Sequence, residues 1–186
     1  DDLFLDALEV AAKHMGAELV IVPIRYKNPT SIWTDAQQDN DWWAPRTAPY
    51  LFNARKKLGP NLVLCADVPI QPTAVSPLAG FDALTGAESC ILAHPKMALP
   101  DGVLPKILTT TGACTKRNFT RSRAGALGAF HHCLGAVVVE LSGRKFFLRQ
   151  INADRADGSF IDLDRHYSSR GVKRAPPALG LVTGDT

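Results

Sequence analysis

The chain reads as an α/β protein: a mixed sheet, parallel in its N-terminal part, with an antiparallel hairpin in its C-terminal part and about three flanking helices. Three observations predict this class. A helical apolar repeat runs directly into a continuous apolar, β-branched segment, Leu19-Val20-Ile21-Val22-Pro23-Ile24. Further short apolar runs at residues 62–67 and 89–94 lack in-out alternation, as strands buried on both faces of a parallel sheet do. Beyond residue 135 the pattern changes to strands joined by tight turns.

Taken in order, Leu3-Phe4, Ala7-Leu8 and Ala11-Ala12 recur at helical spacing and Gly16 supplies a stop. With the apolar run after it, this helix forms half of a βαβ unit. Residues 25–46 are irregular and polar, with Trp33, Trp42 and Trp43 crowded among Asp35, Asp39 and Asp41. A loop of that length in a compact domain is often functional. Residues 48–58 suit a short helix, broken by Gly59-Pro60-Asn61. Strands are expected at 62–67, 89–94 and 106–111, and the basic, glycine-rich stretch 120–130 has moderate helical tendency. Residues 136–141 and 145–151 flank Ser142-Gly143-Arg144, a hairpin signal. Residues 158–164 alternate polar and apolar, Arg170-Gly171 and Pro176-Pro177 mark loops, and 178–183 reads as a last apolar strand.

A hydrophobic fraction of 46% suffices for a sizeable core. No apolar run approaches the roughly 18–20 residues that span a bilayer. The start, Asp1-Asp2-Leu3-Phe4, lacks the basic and apolar regions of a signal peptide and has no initiating Met. The chain is therefore expected to begin inside a longer polypeptide. Cys65, Cys90, Cys114 and Cys133 are scattered with no CxxC pair, which argues against a zinc site or disulfide framework and for reduced core thiols in the cytoplasm.

Net charge is only +3, but its distribution is uneven. From Gly102 to Val139 there is no acidic residue, while Lys106, Lys116, Arg117, Arg121 and Arg123 all fall in that stretch, with His131 and His132. Such a run suits an anion or a nucleic-acid backbone, or is a solvated loop balanced by acids elsewhere in the fold. Several expected strands end in a polar side chain: Asp67, His94, the Thr109-Thr110-Thr111 triplet and Asp185. Ligands gather at the carboxyl ends of strands in open α/β sheets. Asp67, Thr73 and His94 thus form a nucleotide-type candidate, unless they cap turns. His131-His132 is a poor chelate, since adjacent strand residues point to opposite faces. Asp185 follows an apolar run through Gly184, and a ligand two residues further on would project to the same side. No P-loop, nucleophile elbow or HExxH motif is present.

Several segments carry a resemblance together: Arg25-Tyr26-Lys27-Asn28-Pro29-Thr30-Ser31, Ala66-Asp67-Val68-Pro69-Ile70-Gln71-Pro72-Thr73-Ala74, Pro77-Leu78-Ala79-Gly80-Phe81, Ala93-His94-Pro95-Lys96, Thr109-Thr110-Thr111-Gly112, Phe130-His131-His132, Arg149-Gln150-Ile151-Asn152-Ala153 and Gly158-Ser159-Phe160-Ile161-Asp162. In this order they resemble a bacteriophage family in which such a region precedes a calcineurin-like metallophosphoesterase domain. Siphophage pre-early DNases, implicated in host DNA degradation, are among its members.

The resemblance implies an N-terminal α/β region at 1–183, with the phosphoesterase domain beginning at 184–186. It implies Asp185 as first ligand of a divalent-metal pair, manganese or a similar ion, with the remaining ligands beyond Thr186. It further implies a DNase working in the cytoplasm of an infected bacterium. The expected partners are DNA, met by Lys116, Arg117, Arg121 and Arg123, and further copies of the chain in a homo-oligomer, with no membrane. Two alternatives stand beside it: a non-catalytic module binding nucleic acid or a host protein, and a nucleotide-type enzyme using Asp67, Thr73 and His94.

Overall fold

The computed structural model describes residues 1–23, 44–59, 62–67, 89–92, 107–117, 119 and 121–180. Helix α1 (Asp2–Met15) opens the chain. The Asp1 carboxylate caps it, accepting from the Phe4 N–H at 3.3 Å, and Asp2 adds a favourable charge in the first turn. Gly16 ends it in the left-handed region at φ 63°. The Ala17 N–H reaches the Ala12 carbonyl at 2.9 Å and the Gly16 N–H reaches that of Lys13, a Schellman motif. The stripe Phe4, Leu5, Ala7, Leu8 and Ala11 is buried.

A 3-10 helix (Pro45–Tyr50) lies against α1, where Arg46 donates to Asp6 at 2.6 Å and Glu9 at 3.0 Å, and Tyr50 donates to Glu9 at 3.2 Å. Strands β1 (Arg55–Gly59), β2 (Leu62–Cys65), β3 (Ser89–Leu92) and β4 (Leu108–Thr110) form a sheet in that order. Helix α2 spans Arg123–His131. Strands β5 (Gly135–Ser142) and β6 (Lys145–Asn152) pair along their whole length. Strands β7 (Phe160–Asp162), β8 (Arg165–Ser168) and β9 (Gly171–Arg174) form a meander.

The β5–β6 hairpin separates two cores because successive side chains leave it on opposite faces. Val137, Val139, Phe146 and Leu148 pack with Leu62, Leu64 and Ala66. Ala136, Val138 and Ile151 pack with Phe4, Ala7, Leu8, Phe160 and Tyr167. Phe160 stacks on Tyr167 at 5.2 Å and meets Phe4 edge-on at 6.0 Å. Gln150 ties the hairpin to the four-stranded sheet by donating to the buried Thr109 hydroxyl at 3.0 Å.

The predicted class is corrected. In place of one mixed α/β sheet with three helices, the described residues form three separate sheets and two α-helices, and four of the six strand pairings are antiparallel. Among the described strands, parallel pairing is confined to β2–β3 and β3–β4, beside two isolated parallel bridges, Ile21 to Leu51 and Ala113 to Leu134. Two-residue connections at Gly143-Arg144, Leu163-Asp164 and Ser169-Arg170 impose antiparallel pairing on the C-terminal half, since a parallel neighbour needs a long crossover.

The βαβ half-unit is absent too. Residues 19–22 are extended, with Leu19 facing one core and Val20 and Val22 the other, but only Ile21 pairs, through a bridge to Leu51. The helix expected at 48–58 is instead the end of the 3-10 turn followed by β1. Residues 178–180 are exposed and outside any strand.

Candidate nucleic-acid interface

The described residues between 113 and 135 form a loop closed at its base. Ala113 bridges Leu134, with the Ala113 N–H on the Cys133 carbonyl at 3.0 Å and the Gly135 N–H on the Ala113 carbonyl at 3.1 Å. Inside the loop, His132 is buried and its Nε2 lies 2.9 Å from the Thr115 carbonyl. A carbonyl only accepts, so Nε2 carries the proton of the neutral ring. Nδ1 is buried with no hydrogen-bond partner. Phe119 meets the imidazole edge-on at 5.8 Å. Burial pushes the His132 pKa down, and Arg117 and Arg155 push it the same way against the raising effect of the Thr115 contact.

Ser122 caps α2, its hydroxyl accepting from the Gly125 N–H at 3.0 Å. Gly125 and Gly128 lie on the buried side, where a β-carbon at Gly128 would come within 2.7 Å of the Phe119 ring. Gly128 thus lets a short helix sit close on the Phe119 ring.

The chemistry of this unit is on its outside. Lys116, Arg117, Arg121 and Arg123 are all exposed, and none forms a salt bridge among the described residues. The first turn of α2 holds no acid, so its N-terminal dipole adds to the positive field. Arg155, which the sequence pattern did not single out, joins from outside the loop by donating to the His132 carbonyl at 3.0 Å.

Among the other expected residues, His131 ends α2 exposed while His132 turns inward. The pair therefore sits at a helix end, where a strand was assumed. Asp67 is exposed and paired with Arg55 at 3.3 Å. Thr73, His94, Asp185, Trp33, Trp42 and Trp43 lie outside the described residues. Cys65, Cys114 and Cys133 carry reduced thiols, and burial raises the pKa of Cys114 and Cys133, which keeps both protonated and poorly nucleophilic.

Among the described residues no three His, Cys, Asp or Glu side chains come together to hold a metal. They supply no manganese site, and Asp185 remains the one ligand implied by resemblance. A cleft of about 410 Å³ lies between α1 and the hairpin. Its charged walls are satisfied internally: Arg149 holds Asp162 and Glu140, and His14 Nδ1 meets the Tyr167 hydroxyl at 3.1 Å. No helix among the described residues is long and apolar enough to cross a membrane.

No protein-family model and no solved structure matches the chain. Its sequence is similar to that of a bacteriophage protein, Protein A1 of Escherichia phage T5, with 27% identity over 194 aligned residues that cover 98% of this chain and 34% of that protein. The chain thus spans about a third of the length of the curated relative it matches.

Proposed function

We propose that this chain is the N-terminal part of a phage metal-dependent phosphodiesterase, a DNase, and that its loop around α2 holds DNA. The observation that carries the DNA-binding part is the exposed set Lys116, Arg117, Arg121 and Arg123, without salt bridges among the described residues, on a stretch without acids. Guanidinium and ammonium groups on one loop neutralise phosphates and release counterions, whatever the base sequence. The nuclease part rests on the resemblance to the phage phosphoesterase family and on the match to a phage protein along nearly the whole chain. In this reading Asp185 is the first metal ligand, catalysis belongs to residues after Thr186, and the enzyme works in the cytoplasm of the infected cell as an oligomer.

Two measurements on the full-length gene product test it. Manganese-dependent cleavage of DNA should vanish in Asp185→Asn; cleavage that persists would remove Asp185 from the site. Reversing Arg117, Arg121 and Arg123 to Glu should weaken DNA binding. It should also flatten the slope of log affinity against log salt by roughly 0.9 for each phosphate no longer neutralised. Unchanged affinity would refute the interface.

The same basic surface also supports a second reading, a nucleic-acid-binding module with no catalytic partner. It predicts full binding in the presence of a chelator and no metal-dependent cleavage.

A further inference from the structure

Helix α2 exposes one complete face. Arg123, Ala126, Leu127, Phe130 and His131 are all solvent-exposed, spaced as neighbours on successive turns, while Gly125, Gly128 and the following His132 are buried. Phe130 is 77% exposed and Leu127 45%. A single exposed apolar side chain is ordinary, but here two lie one turn apart on the same face. The exposed His131 ring lies edge-on to that of Phe130 at 4.9 Å.

The charge around this face selects the occupant. Arg123 stands at its N-terminal end and Arg121 just before the helix, with no acid in sequence from Gly102 to Val139. Apolar contact framed by cations suits a polyanion that also offers flat apolar surfaces, which is a nucleic acid with its bases unstacked. A duplex fits poorly. Reading a major groove takes hydrogen-bonding side chains along the helix, and between Arg123 and His131 this face offers only Ala126, Leu127 and Phe130.

We propose that the exposed face of α2 is a stacking platform for single-stranded nucleic acid, with Phe130 under a base, Leu127 beside it, and the arginines on the flanking phosphates. This rests on the nucleic-acid reading of the loop and adds the strandedness of the ligand.

The test compares binding by the full-length gene product to a labelled single strand of about 16 nucleotides and to a hairpin duplex of the same sequence, both in chelator. Phe130→Ala should weaken single-strand binding about tenfold, leave the duplex within about twofold, and leave the salt dependence unchanged. Phe130→Trp should restore the loss. Reversal of Arg121 and Arg123 to Glu should weaken both ligands and flatten the salt dependence. If the charge reversals act and Phe130→Ala does nothing, or lowers both ligands equally, the platform is wrong while the basic interface stands. If neither ligand binds the wild type, both readings fall. If Phe130→Ala instead dissociates an oligomer, the face is a contact between copies and the proposal is overturned.

Discussion

A β-carbon on Gly158 would stand 2.4 Å from the Phe4 amide nitrogen and 2.7 Å from the Leu3 carbonyl carbon. The first turn of α1 therefore rests directly on the backbone of the loop before β7. That loop is itself tied by the Gly158 N–H to the Asp154 carbonyl at 2.9 Å and by the Asp154 N–H to the Ser159 carbonyl at 2.7 Å. Gly158 also has φ 69°, where a side chain is strained whatever the space. Gly158→Ala should cost roughly 3 kcal/mol or more, part backbone strain and part displacement of the helix start. Gly143→Ala makes the control, because Gly143 has φ 59° but nothing within 4 Å of a β-carbon, and should cost only about 1 kcal/mol. Urea unfolding of the two variants checks this; equal destabilisation would rule out the close approach as the cause.

Leu163 is the reverse case. It has φ 54° in the two-residue turn between β7 and β8, and its side chain is 71% exposed. Left-handed backbone costs a non-glycine residue roughly 1–2 kcal/mol, and little burial offsets it here. Leu163→Gly should raise stability by about 0.5–1 kcal/mol after the extra flexibility glycine gives the unfolded chain. A fall in the urea midpoint would mean that the leucine makes a stabilising contact which its exposure conceals.

Local features were legible and long-range ones were not. The α1 repeat, its Gly16 stop, the β2 run and the turn at Gly143 all lie within a few residues of the structure they dictate. Residues 48–58 misled because Tyr50, Leu51, Phe52 and Leu58 approximate a helical stripe. Pro49 removes a backbone donor inside that stretch, the 3-10 turn ends at Tyr50, and Arg55–Gly59 pairs instead with β2. The single α/β sheet failed for a similar reason: apolar runs reveal burial, not which neighbour supplies it. At the candidate interface, the acid-free run pointed to four cations on one loop. Arg155 had no local signal, since it arrives through one hydrogen bond to the His132 carbonyl. The split between His131 and His132 was expected from strand alternation, and a helix end produces it instead.

Arg149 joins the hairpin to the meander. Its Nε and Nη2 donate to the two Asp162 oxygens at 2.7 and 3.0 Å, and Nη1 donates to Glu140 at 2.7 Å. These carboxylates raise the guanidinium pKa still further and hold it charged. The two acids differ in burial, with the Asp162 side chain 4% exposed and that of Glu140 59%. Asp162→Asn should cost about 3 kcal/mol, because the partly buried guanidinium is left without its bidentate partner. Glu140→Gln should cost less than about 1 kcal/mol, as for other solvent-screened pairs. Similar destabilisation of both variants in thermal or urea unfolding would show that burial does not distinguish the two ion pairs.

His132 should make the fold acid-sensitive. Burial, then the charges of Arg117 and Arg155, hold its folded-state pKa below the ordinary imidazole value. The unfolded chain therefore takes up the proton more readily than the folded one. The stability His132 contributes is fully present above the unfolded-state value of about 6.5 and is lost as pH falls through the lower folded-state value. Its unpartnered Nδ1 would become a buried N–H donor with no acceptor to meet it, on a ring already under the charge of Arg117 and Arg155. Urea midpoints of the wild type should thus fall between about pH 7.5 and about pH 5.5, and His132→Gln, which keeps a donor for the Thr115 carbonyl but does not titrate, should fall less over that window. Parallel pH profiles for the two proteins would remove His132 as the sensor. Because α2 leaves the loop directly before His132, acid that loosens this residue should also loosen the helix carrying Arg123 and Phe130. Nucleic-acid affinity measured over the same window should then decline in the wild type more steeply than in the glutamine variant.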